Sequence, residues 1–111
     1  MRQLLLSTRA SPGLVIAGLG MEETVWEDGY VRVMHLSTGR PLAAFWRHYY
    51  GSSAEMLLTP ELLPELLADI AGLLQDTTLP PAVTAFLSGM RDLCERALQA
   101  ATSTQLAVIA D

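Results

Sequence analysis

Apolar and polar positions change rhythm near residue 51: before it they alternate in short runs cut by turn residues, and after it they recur at helical spacing. Residues 3–8 and 14–19 flank Ser11-Pro12-Gly13, a pattern that predicts two strands joined by a turn. Residues 24–27 and 30–36 flank Asp28-Gly29. That dipeptide is favoured in two-residue hairpin loops, because a type I′ turn needs two positive φ angles. Ser37-Thr38-Gly39-Arg40 then separates residues 30–36 from a strand expected over 41–49. Pro41 lacks a donor and suits a strand's first residue. Short connections of this kind predict an up-and-down antiparallel meander of about five strands.

Helical spacing takes over in the second half. Thr59-Pro60-Glu61 reads as N-cap, first-turn proline and first-turn acid. Leu62, Leu63, Leu66, Leu67, Ile70, Leu73 and Leu74 follow as one stripe, with Pro64 marking an irregular first turn or the true start. A second helix begins near Pro80-Pro81 and lines one face with Val83, Phe86, Leu87, Met90, Cys94, Ala97, Leu98 and Ala101. Arg91, Asp92, Glu95 and Arg96 fall on its wet face at i,i+4 spacing. Residues 105–110 predict a short C-terminal strand returning to the sheet. The expected fold is a single α+β domain over 1–111: a meander, then two amphipathic helices packed on one of its faces, then the last strand.

Strand alternation assigns side chains to faces if Asp28-Gly29 and residues 37–40 are the loops. One face then carries Trp26, Val31, Val33, His35, Leu42, Ala44, Trp46 and His48, and serves as core beneath the helices. The other carries Tyr30, Arg32, Met34, Phe45, Arg47 and Tyr49 among its members. Aromatic, Met and Arg side chains together are the types enriched in protein interfaces, so this second face is the expected contact surface.

Composition narrows the function. Half of the 111 residues are apolar, which excludes a disordered tail. In so small a domain that content points to a contact with a protein partner or a second copy, as in a homodimer. The longest apolar stretch, residues 13–21, is far short of the roughly 20 residues that span a bilayer, and no secretory signal is expected at the N-terminus. Net charge is −5, and residues 51–111 hold only Arg91 and Arg96 as cations, so nucleic acid is not an expected partner. One cysteine, Cys94, forms no internal disulfide and suits a reducing, cytoplasmic setting.

Catalytic spacing is missing. No phosphate loop, nucleophile elbow or metal-ligand spacing occurs, so neither a cofactor nor a metal is expected. On the expected strands His35 and His48 lie roughly 20 Å apart, too far for a shared metal. An alternative pocket would place Asp28, Trp46 and His48 with Tyr49 at one sheet end, His48 acting as base and Arg47 holding an anion. Cys94 sits on an apolar stripe and reads as core. The expectation from the chain alone is an interaction or regulatory module of inhibitor, immunity or chaperone type rather than an enzyme. A small-molecule binder or enzyme at the His48 pocket is the alternative.

Overall fold

In the computed structural model, residues 2–9, 13–36, 39–51 and 54–110 are described. The chain opens with a hairpin of β1 (Arg2–Thr8) and β2 (Val15–Gly20). Helices α1 (Glu23–Met34) and α2 (Pro41–Gly51) follow. A short β3 (Met56–Leu58) leads to α3 (Leu63–Leu74), α4 (Pro81–Gln99) and β4 (Thr104–Ala110). The strands form one four-stranded antiparallel sheet in the order β2-β1-β4-β3. The α+β class is as expected, with four helices and four strands in place of two helices and a five-stranded meander. The last strand is not an edge addition but sits inside the sheet, between β1 and β3. The turn residues Ser11, Pro12, Ser37 and Thr38 lie outside the described residues.

Register decides which side of the sheet is core. Leu4 pairs with Leu19 and Val108, and Leu6 with Ala17 and Leu106, so these side chains share one face. Leu58 joins them through its pairing with Leu106. Leu4, Leu6, Leu58, Leu106 and Val108 are buried in one cluster with the helices. From α3 come Leu63, Leu66 and Ile70, and from α4 Val83, Phe86, Leu87, Met90, Leu93, Cys94 and Ala97. Of the stripes read from the second half, Leu63, Leu66 and Ile70 on α3 and Val83, Phe86, Leu87, Met90, Cys94 and Ala97 on α4 are buried, while Leu62, Leu67, Leu73, Leu74, Leu98 and Ala101 are half-buried. Arg91, Asp92, Glu95 and Arg96 are exposed as expected. Helix α3 starts at Leu63, with Pro64 in its first turn, where a missing N–H breaks no helical bond.

Residues 23–51 correct the reading most. Asp28-Gly29 is not a hairpin loop but lies within α1, and 41–49 is helix rather than strand. Gly29 has a packing role there. A Cβ at this position would stand 2.5 Å from Cζ2 of Trp46, so only glycine lets α1 and α2 approach this closely. The two tryptophans are clasped. Trp26 Nε1 donates to the Trp46 carbonyl at 2.6 Å, and Trp46 Nε1 donates to the Trp26 carbonyl at 2.9 Å. Leu42, Phe45, Trp46 and Tyr49 form the buried stripe of α2 at i, i+3, i+4 and i+7.

Candidate interaction surface

Helical geometry disperses the six residues expected to share a contact face. Tyr30 is exposed on α1, its ring centroid 5.1 Å from that of Trp26. Arg32 is half-buried and reaches Asp76 at 3.3 Å and the Thr78 carbonyl at 3.2 Å. Met34 packs against the core from its edge, and Arg47 is exposed on α2. Phe45 and Tyr49 are fully buried. A period of 3.6 residues replaces one of two, so side chains assigned to one side of a strand now point around two helices. These six residues are not one surface.

The alternative pocket does not assemble either. Asp28 is exposed, Trp46 is fully buried, and His48 is half-buried with its Nδ1 enclosed and without a hydrogen-bond partner among the described residues. Neighbouring tyrosines are occupied in holding the chain together. Tyr49 Oη accepts from the Met21 N–H at 3.0 Å and donates to the Arg2 carbonyl at 2.7 Å, while Tyr50 Oη donates to the Met21 carbonyl. Burial raises both phenols above their usual range. Arg2 closes the same junction by donating to the carbonyls of His48 and Tyr49. Ser52 and Ser53, at the end of the polar run after Arg47, lie outside the described residues.

Charge gathers where α1 and α2 meet α3. A cleft of about 460 Å³ is lined by Arg32, His35, Asp69 and Asp76 with Leu36, Leu73 and neighbours. Its charges neutralise each other. Asp69 is buried, accepts from Arg40 Nε at 2.8 Å, and accepts from the Leu42 backbone N–H at 3.3 Å. It thus caps the N-terminus of α2 from a different helix. Asp76 accepts from both the backbone and the hydroxyl of Thr78, chiefly, and from Arg32, which lowers its carboxyl below the usual range. Among the described residues no group of three or more His, Cys, Asp or Glu side chains is placed to hold a metal ion.

Cys94 is buried, and loss of water around the sulfur, with Glu95 nearby, pushes its thiol up to about 12. Reactive thiols need the opposite surroundings. The native protein should therefore leave Cys94 unmodified by a thiol reagent near neutral pH, and urea should expose it to stoichiometric labelling. Rapid labelling of the folded chain, read by mass spectrometry, would contradict this burial.

The surface that stands out is the outer side of the sheet. Leu5 pairs with Gly18 on one side and with Ala107 on the other, and Ala107 pairs with Leu57, so one apolar row crosses all four strands. Leu57 is 53% exposed, Leu5 is half-buried and Ala107 is buried, and none of the three belongs to the cluster shared with the helices. Gln3 and Ile109 flank the row on one side, Ser7 and Gln105 on the other. Among the described strand residues of this side none carries a charge, and Arg9 and Glu61 lie at its end beside Leu57 and Gln105. Along the adjoining edge Leu14, Val15 and Ile16 are exposed by 68%, 61% and 44%. The apolar run of β1 was legible, but its pairing with β4 was not, and that pairing makes the row. Compared with protein-family models, with curated proteins and with solved structures, the chain matches none of them. No helix among the described residues is long and apolar enough to cross a membrane.

Proposed function

We propose that this chain is a small protein-interaction module that binds a protein partner through the uncovered side of its sheet. The observation that carries this reading is the uncharged row Gly18–Leu5–Ala107–Leu57, which stands apart from the cluster shared with the helices and is exposed at Gly18 and Leu57. Arg9 and Glu61 lie beside Leu57 at the rim, which suits a partner held by apolar contact with polar groups around it. The buried single thiol supports a reducing compartment, the cytoplasm, as the place of action.

A photo-crosslinking amino acid at Leu57 tests the reading, with the same group at Glu95 on the wet face of α4 as comparison. In the native cell the Leu57 probe should yield a discrete adduct with another protein, and the Glu95 probe should not. Equal adducts from both positions, or none from Leu57, would overturn the proposed surface.

A further inference from the structure

We propose that two copies of this chain join through β2, edge to edge and antiparallel, so that one sheet runs through both. This goes beyond partner binding, because the side carrying Leu57 stays open in the pair.

Strand β2 is an unpaired edge of the sheet, and its backbone direction can be worked out. The Thr8 N–H donates to the Leu14 carbonyl at 2.9 Å, so residues of β1 in phase with Thr8, namely Leu6 and Leu4, turn their backbone groups toward β2. On the other side the Arg9 N–H donates to the Ser103 carbonyl at 2.9 Å, in keeping with that phase. Leu6 and Leu4 pair with Ala17 and Leu19, which therefore face β1. Gly18 and Gly20 present their N–H and C=O groups to the open edge.

Natural sheets blunt such edges with charge, proline, bulges or brevity. The opposite edge, β3, is only three residues long and is followed closely by Pro60. Strand β2 has six residues with neither charge nor proline, and its one register shift falls beside Ser7, leaving residues 17–20 regularly paired. Exposed Leu14, Val15 and Ile16 lead into it.

Charge selects a second copy as occupant. Each chain carries −5, so two copies approach with least repulsion where neither bears charge, as over residues 13–21, which Glu22 and Glu23 bound. A two-fold axis at Gly18 sets Gly18 against its own copy and Ile16 opposite Gly20, a bulky residue against bare backbone. Strand pairing alone falls short of the roughly 800 Å² per partner that stable interfaces bury. The second layer comes from α4, which lies over this edge with Gly89 against Leu19. Beside it a cleft of about 290 Å³, lined by Leu19, Val25, Phe86 and the exposed Ala82 and Ala85 with Glu22 as its one charged member, opens next to the same edge.

Sedimentation velocity on the full chain should give twice its 12.0 kDa mass. A Val15→Lys, Ile16→Lys variant should keep its circular dichroism and melting temperature but weaken the pair by about tenfold or more, because lysines on an edge repel a second strand. It also reduces the net negative charge, so overall repulsion cannot explain the loss. Gly18→Cys should oxidise to a covalent pair, since hydrogen-bonded positions stand about 5.5 Å apart at Cα, within disulfide range. Val31→Cys, on the exposed side of α1, should not. A Cβ at Gly18 meets the end of the flexible Leu5 side chain at 2.8 Å, which must shift, and makes ordinary contact with Gln3 Oε1 at 3.5 Å and the Leu4 carbonyl at 3.9 Å. If Gly18→Cys does not fold, the lysine variant still decides. A wild-type monomer, whose edge would then be open to a strand from another protein, overturns the proposal, and so does a pair that survives both lysines or crosslinks through Val31→Cys.

Discussion

Gly29→Ala should lower the stability of this protein by about 2 kcal/mol, although alanine is the better helix former. Two terms oppose each other. Alanine in a helix interior gains about 1 kcal/mol over glycine. Against it, the new methyl would lie 2.5 Å from Cζ2 and 3.2 Å from Cη2 of Trp46. That ring has no room to withdraw. It is fully buried, its Nε1 is committed to the Trp26 carbonyl, and Phe86 meets it edge-on at 5.8 Å between centroids. Relief of the overlap requires α1 and α2 to separate, and overpacking of this kind costs about 3 kcal/mol. The net loss corresponds to roughly 10 °C in melting temperature for a chain of this size. Urea denaturation of Gly29→Ala, Trp46→Phe and the double variant would check the origin of the effect. Phenylalanine lacks the crowded ring atoms, so the double variant should be more stable than the sum of the two single losses predicts. An alanine variant as stable as the wild type, as helix preference alone would give, contradicts the packing described.

Asp69→Ala should be comparably damaging, by about 2 kcal/mol, for an electrostatic reason. The carboxylate is buried, with its side chain 5% exposed, and it serves two donors from a neighbouring segment, Arg40 and the Leu42 N–H. Removing it leaves the Leu42 N–H, at the buried start of α2, without an acceptor. Arg40 is 37% exposed and regains water, so its share of the loss is small. Asp69→Asn retains an acceptor for the helix terminus and should cost about half as much. Thermal melts of both, with Glu61→Ala as a surface control, give the comparison. Equal stability of Asp69→Ala and the control would show that the cap contributes nothing.

Both residues mark where reading the chain succeeds and where it stops. The stripes of α3 and α4 were legible because each repeats over three turns or more with wet charges opposite. The N-terminal hairpin was legible from its turn residues and the C-terminal strand from its apolar run. By contrast, the stripe of α1 is broken at its centre. Val25, Gly29 and Val33 occupy its buried side, and glycine contributes no apolar signal there; the bulk that fills the gap is Trp46 from another helix. Beside Asp28, that same glycine imitates a hairpin loop. Leu42, Phe45, Trp46 and Tyr49 did carry a helical period, and Pro41 is as fitting at a helix start as at a strand start. The misassigned hairpin forced the alternation through them. Strand β3, at three residues, is too short for any period to register.

What the chain alone determined is its α+β class, its acidic charge and the helices α3 and α4, whose burial follows from their own repeats. What the tertiary structure decided is each feature that depends on a distant neighbour: the pairing of β1 with β4, the helix over 23–34 that closes on Trp46, and the cap that Asp69 lends to α2. The outer row from Gly18 to Leu57 belongs to that second group. Its four residues come from four strands separated by as many as 102 positions, Leu5 to Ala107, so no local pattern could place them side by side.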